Sequence, residues 1–245
     1  MTISKRVRLP LMVGGLVSLM AGLLLAIGQP GRVDSADTAF AYLPLSRHIY
    51  CTPYSDDFTD PTSGWFIGED STGQFSDYGD TEYQLWGPVE NATLAARLAP
   101  TCSAENYVVE TEAHIIRDTK GRYYGIIFGA VDEVTPLYSF VIFPEPHESP
   151  NLPTYALVYA DPTNILNTDP LRQGTVTMEP TDTITLKVVR DGVHITAYIN
   201  DVQVATVDDG RILGLTKAGL IAGKDPREPS GYAAGFLSFS KEPLP

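Results

Sequence analysis

The sequence predicts an all-β domain, a sandwich of two antiparallel sheets, and two observations carry that expectation. From Asp182 to Asp208 apolar and polar residues alternate in three runs, separated by Arg190-Asp191-Gly192 and Ile199-Asn200-Asp201, which reads as three antiparallel strands joined by tight turns. Further strand-like runs recur at short intervals, and beyond the amino-terminal segment nothing keeps a helical period.

The chain opens on a basic flank: Lys5, Arg6 and Arg8 precede an uncharged, mostly apolar stretch from Leu9 to Ile27. Such a start is either a secretory signal peptide, for which Ala26-Ile27-Gly28 offers small residues at a cleavage site, or an uncleaved membrane-anchoring helix. Both place the chain beyond Gly28 outside the cytoplasm, because the basic flank stays inside. Residues 1–28 are therefore expected to be signal or anchor. Residues 29–47, with Pro30, Gly31 and Pro44, are expected to be a linker, and 48–245 a single sandwich domain.

Within that domain, Asp57-Phe58 belongs to a short strand that enters a turn rich in Asp, Pro, Ser and Gly before Trp65. Strands are expected at Glu82–Trp86, Ala92–Leu98, Tyr107–Arg117, Tyr123–Val131, Leu137–Phe143 and Thr154–Ala160, with a weaker one at Leu171–Met178. In the three-stranded unit, Ile184, Leu186 and Val188 share one side of the first strand, and Val193, Ile195, Ala197 and Ile199 one side of the second. Lys217–Ala222 and Ala233–Ser240 close the domain. Pro144–Pro153, with four prolines, reads as a stiff excursion, and Asp161–Asp169 and Gly223–Gly231 as long polar loops.

The net charge is −13, and the amino-terminal basic residues oppose it, so the exported part is more acidic still. Such a surface repels nucleic acid and anionic lipid, and the amino-terminal helix, if uncleaved, would hold the chain to a membrane. Cys51 and Cys102 are the only cysteines, and an oxidising compartment favours a bridge between them.

Asp57-Phe58 with Asp60-Pro61 and Gly64-Trp65, the run from Tyr123 to Phe128, and the unit from Thr185 to Asp201 with Lys217-Ala218-Gly219-Leu220-Ile221 after it together resemble the concanavalin A-like lectin/glucanase superfamily. The likeness is nearest to exported bacterial domains of the laminin G-like and 3-keto-disaccharide hydrolase-like groups. It implies a jelly-roll sandwich in which sugar is often received on a sheet face or loop edge. It transfers no reaction, since fold does not imply function.

Three constellations are candidates for chemistry. Val108, Glu110, Glu112 and His114 alternate onto one face of the strand from Tyr107, where successive same-face positions lie roughly 7 Å apart, within reach of water-mediated sugar hydrolysis. The laminarinase-like hydrolases of the superfamily carry Glu-x-Asp-x-x-Glu; here Glu110 and Glu112 are followed by His114 and Ile115, without a final acid. A ligand-binding face is the alternative, with Trp86, Tyr124 and Tyr138 as the leading stacking rings and Tyr155 and Tyr159 as further strand aromatics. Tyr124 and Tyr138 are expected to be neighbours across the turn near Thr135-Pro136.

Asp56, Asp57 and Asp60 are candidates for a structural calcium ion, as are Asp77, Asp80 and Glu82 and the pair Asp208 and Asp209; the alternative is that these aspartates form turns. The histidines are scattered, and there is no nucleophile elbow, phosphate-cradling loop or Cys-x-x-Cys. The expectation is an extracytoplasmic, non-catalytic module that binds glycan or another envelope component. A glycoside hydrolase and a structural or adhesive envelope domain are the alternatives.

Overall fold

The computed structural model describes residues 51–71, 73–87, 94–132, 135–146, 152–160 and 168–245, all within the unit His48–Pro245. The expected signal or anchor and the linker lie outside the described residues, as does most of the loop from Asp161. Among the described residues there is no helix.

The strands are β1 Tyr54–Asp56, β2 Gly68–Glu69, β3 Phe75–Tyr78, β4 Tyr83–Gly87, β5 Leu94–Leu98, β6 Tyr107–Arg117, β7 Arg122–Ala130, β8 Leu137–Phe143, β9 Thr154–Ala160, β10 Thr168–Thr175, β11 Ile184–Asp191, β12 His194–Ile199, β13 Val202–Asp208, β14 Lys217–Lys224 and β15 Tyr232–Pro243. A nine-stranded sheet runs β13-β12-β11-β6-β15-β4-β3-β2, with β1 also paired to β15. A six-stranded sheet runs β10-β9-β8-β7-β14-β5. Every ladder between these strands is antiparallel. β15 is the hinge of the larger sheet: β6 pairs along its length, while on its other side β4 takes Tyr232 to Phe236 and β1 takes Phe239 to Lys241.

Alternation decides which side chains meet between the sheets. From the nine-stranded sheet Tyr83, Leu85, Tyr107, Val109, Leu186, Val188, Phe236 and Phe239 point inward; from the six-stranded sheet Tyr124, Ile126, Phe128, Tyr138, Phe140, Leu157 and Leu220 meet them in one core. Burying each large apolar side chain is worth about 1.5–3 kcal/mol, which makes this layer the main support of the fold. The three-stranded unit behaves as its sequence dictates: Ile184, Leu186, Val188, Ile195, Ala197 and Ile199 are buried. Val193 is the exception, because it sits in the Gly192-Val193 turn and stays exposed. Asn200 and Asp201 both adopt positive φ, the geometry a two-residue hairpin turn requires. The strands β2 and β3 were not expected, and β1 ends just ahead of the Asp57-Phe58 pair; all three are short and carry little apolar alternation.

Cys51 and Cys102 form a disulfide that ties the entrance of the domain to the loop before β6. Beside it lies a buried cationic cluster. Lys241 Nζ donates to Cys102 O at 2.8 Å and Thr216 O at 3.1 Å, above the ring of Tyr107, while Arg190 donates to Thr216 Oγ1 and Ile212 O. Burial, with Lys217 and Arg190 adding like charge, pushes the Lys241 ammonium down to about 8. Between pH 8 and its ordinary 10.5 the unfolded chain binds the proton that the folded chain has released, so stability rises with pH. Relative to Lys241→Met, the wild-type chain is expected to gain about 2 kcal/mol between pH 7.5 and 9.5, read from urea midpoints. A pH-independent difference would contradict this.

Candidate binding face

The outward side of the nine-stranded sheet carries the polar side chains that the strand register brings together. On β6 Val108, Glu110, Glu112 and His114 point away from the core, as alternation requires. On β4 Gln84 and Trp86 do the same, with Glu82 just before the strand; on β15 Ala233 and Gly235 lie between the two, and Ser238 and Ser240 continue the face beside Glu112 and Glu110 toward β1. Gly235 is opposite both Gln84 and His114. A Cβ there would meet Glu82 Oε2 at 2.2 Å and His114 Cε1 at 2.9 Å, so the missing side chain is what lets these two groups meet across the strand. Glu82 Oε2 lies 3.4 Å from His114 Nε2, and Gln84 Nε2 donates to Glu82 Oε1 at 2.7 Å.

At one end of this strip is a cavity of about 570 Å³. Its aromatic wall is Trp86, which is 40% exposed and packed against Phe75 with ring centroids 4.5 Å apart. Its polar wall is formed by Gln84, Arg117, Asp118 and Ser230. That wall is fixed from beneath by Arg122, whose residue has no exposed surface. The guanidinium donates to Gly231 O at 2.8 Å, Lys120 O at 2.6 Å, Asp118 Oδ2 at 3.1 Å, Ser230 O at 3.2 Å and Ser230 Oγ. Ser230 Oγ in turn donates to Asp118 Oδ2 at 2.9 Å. One buried fork thus binds the turn after β6 to the loop before β15, two segments more than a hundred residues apart in sequence.

At the other end, a second cavity of about 520 Å³ is lined by Asp56, Asp57, Asp60, Glu110, Ser238 and Ser240, among others. Its acids are committed. Asp56 accepts from Phe58 N and Trp65 Nε1, Asp57 from the amide and hydroxyl of Thr59, and Asp60 from those of Thr62. The hydroxyls of Thr59 and Thr62, followed by the amides, hold the Asp57 and Asp60 carboxyls below the usual range. Glu110 lies 3.5 Å from Lys187 Nζ. Asp56, Asp57 and Asp60 each accept from the amide two residues on, the bonding of an aspartate turn. Among the described residues no group of three or more His, Cys, Asp and Glu side chains is placed to hold a metal ion. Asp208 is paired with His194 at 2.6 Å, and Asp209, held at about 2 by Arg211, accepts from the Tyr138 hydroxyl.

Glu110, Glu112, His114 and Trp86 thus share one face. Tyr124 and Tyr138 do not: both are fully buried in the core and take no part in it. Nor are they neighbours, since Tyr124 is opposite Ile142 and Tyr138 opposite Phe128. Tyr155 is buried against Val204 O, and Tyr159 packs on Tyr138 under Arg211. Aromatic content alone did not separate these rings from Trp86, because β7 and β8 are apolar on both sides. Gln84 was legible in Glu82-Tyr83-Gln84-Leu85-Trp86, where period two puts three polar or amphipathic side chains on one face. Arg117, Asp118 and Ser230 had no such signal.

Neither a protein-family model nor a curated protein matches the sequence. Solved structures do match in fold. A carbohydrate binding module from Bacillus subtilis aligns at a TM-score of 0.52 and 14% identity, over 72% of this chain and 99% of its own. A Bacillus subtilis protein of unknown function with a galectin-like fold aligns at 0.58 and 14%, over 78% and 95%. The κ-carrageenase from Pseudoalteromonas carrageenovora, solved with an oligotetrasaccharide of κ-carrageenan, aligns at 0.54 and 11%, over 82% and 98%. The fold is the concanavalin A-like jelly-roll sandwich, as the sequence resemblance implied.

Proposed function

We propose that the chain is an extracytoplasmic, non-catalytic glycan-binding module whose binding face is the outward side of β4, β15 and β6. The observation that carries this reading is Trp86: a half-exposed indole, braced by Phe75, at the wall of a cavity whose other lining residues present amide, guanidinium, carboxylate and hydroxyl groups. A flat apolar ring with a few fixed polar groups is what sugar recognition needs, because a sugar offers a C–H face for stacking and hydroxyls for hydrogen bonding. Fold neighbours that bind or cleave carbohydrate add support, and the disulfide fits an oxidising compartment.

A glycoside hydrolase is the second reading, favoured by Glu110 sharing a cavity with Asp57 and Asp60. It asks for two carboxyls free to face one sugar ring, whereas Asp57 and Asp60 accept from the amides and hydroxyls of Thr59 and Thr62, and Glu110 faces Lys187 Nζ at 3.5 Å. The binding reading therefore takes precedence.

A glycan array probed with the full chain and with Trp86→Ala tests it. The wild-type chain is expected to retain at least one glycan class. The variant should lose roughly tenfold or more in affinity while its Tm stays within a few degrees, since a ring stack contributes on the order of 1.5 kcal/mol. Silence across a broad array, or retention that ignores the substitution, counts against the proposal.

A further inference from the structure

Among the described residues, Arg97, Arg122, Lys187, Arg211 and Arg227 each have an acidic partner within 4 Å. As with the exposed Arg172 and the buried Arg190 and Lys241, no such partner is found among the described residues for Arg117, although the chain carries 30 acidic residues to 17 basic ones. Arg117 is exposed and lines the Trp86 cavity. Its neighbour Asp118, at a positive φ of 48°, also lines the cavity, but its carboxylate is paired with Arg122 and Ser230. The cavity therefore offers one uncompensated guanidinium and one indole. In so acidic a protein, a cation left without an internal acid is suited to an anion from outside, and a planar guanidinium fork matches a carboxylate bidentately.

We propose, resting on the glycan-binding reading above, that this cavity selects an acidic saccharide, with the sugar ring on Trp86 and its anionic substituent on Arg117. The preference belongs to the local pair, because the net charge of −13 disfavours polyanions everywhere else on the surface.

The test is calorimetric titration of the full chain with three probes of matched length: oligogalacturonate, a neutral galactan oligosaccharide and a sulfated galactan oligosaccharide. One of the two acidic probes is expected to bind about tenfold or more tightly than the neutral one, and Arg117→Gln to bring it down to the neutral level. Arg172→Gln, which removes an exposed cation from the six-stranded sheet, should leave all three affinities as they are. Selectivity for the sulfated over the uronate probe, lost in Arg117→Gln, supports the proposal and identifies the anion as a sulfate ester. If the neutral probe binds as tightly as the acidic ones and Arg117→Gln changes nothing, the acidic-sugar proposal falls while glycan binding stands. If no probe binds and the array is silent, both fall.

Discussion

A chain carrying Arg122→Met is expected to lose about 3–5 kcal/mol of stability and, with it, the cavity beside Trp86. The methionine fills much of the same volume but donates nothing. Three backbone carbonyls, at Lys120, Ser230 and Gly231, lose a donor that water does not easily replace beneath the sheet, and Asp118 loses its countercharge. For a domain of this size that corresponds to a fall in Tm of roughly 10 °C or more. Glycan affinity, measured well below the new Tm, should fall as well, because Asp118 and Ser230 are no longer held. Arg122→Lys keeps the charge but not the fork, and is expected to restore part of the stability and little of the binding. Full affinity in a destabilised Arg122→Met chain would show that the wall forms without its clamp.

The second large effect belongs to the disulfide. Cys51 and Cys102 are 51 positions apart, and releasing a loop of that length returns about 4 kcal/mol of entropy to the unfolded chain in the loop-closure model. The double variant Cys51→Ser, Cys102→Ser is expected to melt roughly 8–16 °C lower, read by circular dichroism. Its glycan binding should persist below the transition. Lys241, against the Cys102 carbonyl, and Tyr232, at the Trp86 cavity, sit toward opposite ends of β15, about 30 Å apart at strand rise. A change in Tm of only a degree or two would mean that the cluster of Lys241, Arg190 and Thr216 closes that end of the sandwich unaided.

How much of this was legible in the sequence depended on whether the signal was local. The strand from Tyr107 to Arg117 was read with its true bounds, and Glu110, Glu112 and His114 point outward, because period-two alternation is written within a single strand. The unit from Asp182 was equally clear, apart from Val193, where a turn residue mimicked the alternation. β2 and β3 were missed, since Gly68-Glu69 and Phe75-Ser76-Asp77-Tyr78 are too short and too polar to show a period. Tyr124 and Tyr138 were placed on the binding face because the two faces of β7 and β8 are equally apolar, so composition could not say which side met the core. The cavity itself rests on register and on Arg122. Trp86, Arg117 and Ser230 come from three distant segments, and only the pairing of β4 and β6 with β15 makes them neighbours.

The chain holds two tryptophans, and they occupy opposite environments. Trp65 is 4% exposed, with its indole N–H donated to Tyr54 Oη and Asp56 Oδ2, whereas Trp86 is 40% exposed at the cavity. A nitrogen-15-labelled chain should therefore give two indole N–H signals, assigned by Trp86→Phe, and titration with the tightest-binding glycan of the array reports on each. The expected result is a saturable shift of the Trp86 signal with the Trp65 signal unmoved. Saturable binding that leaves the Trp86 indole where it was would contradict the assignment of the binding face.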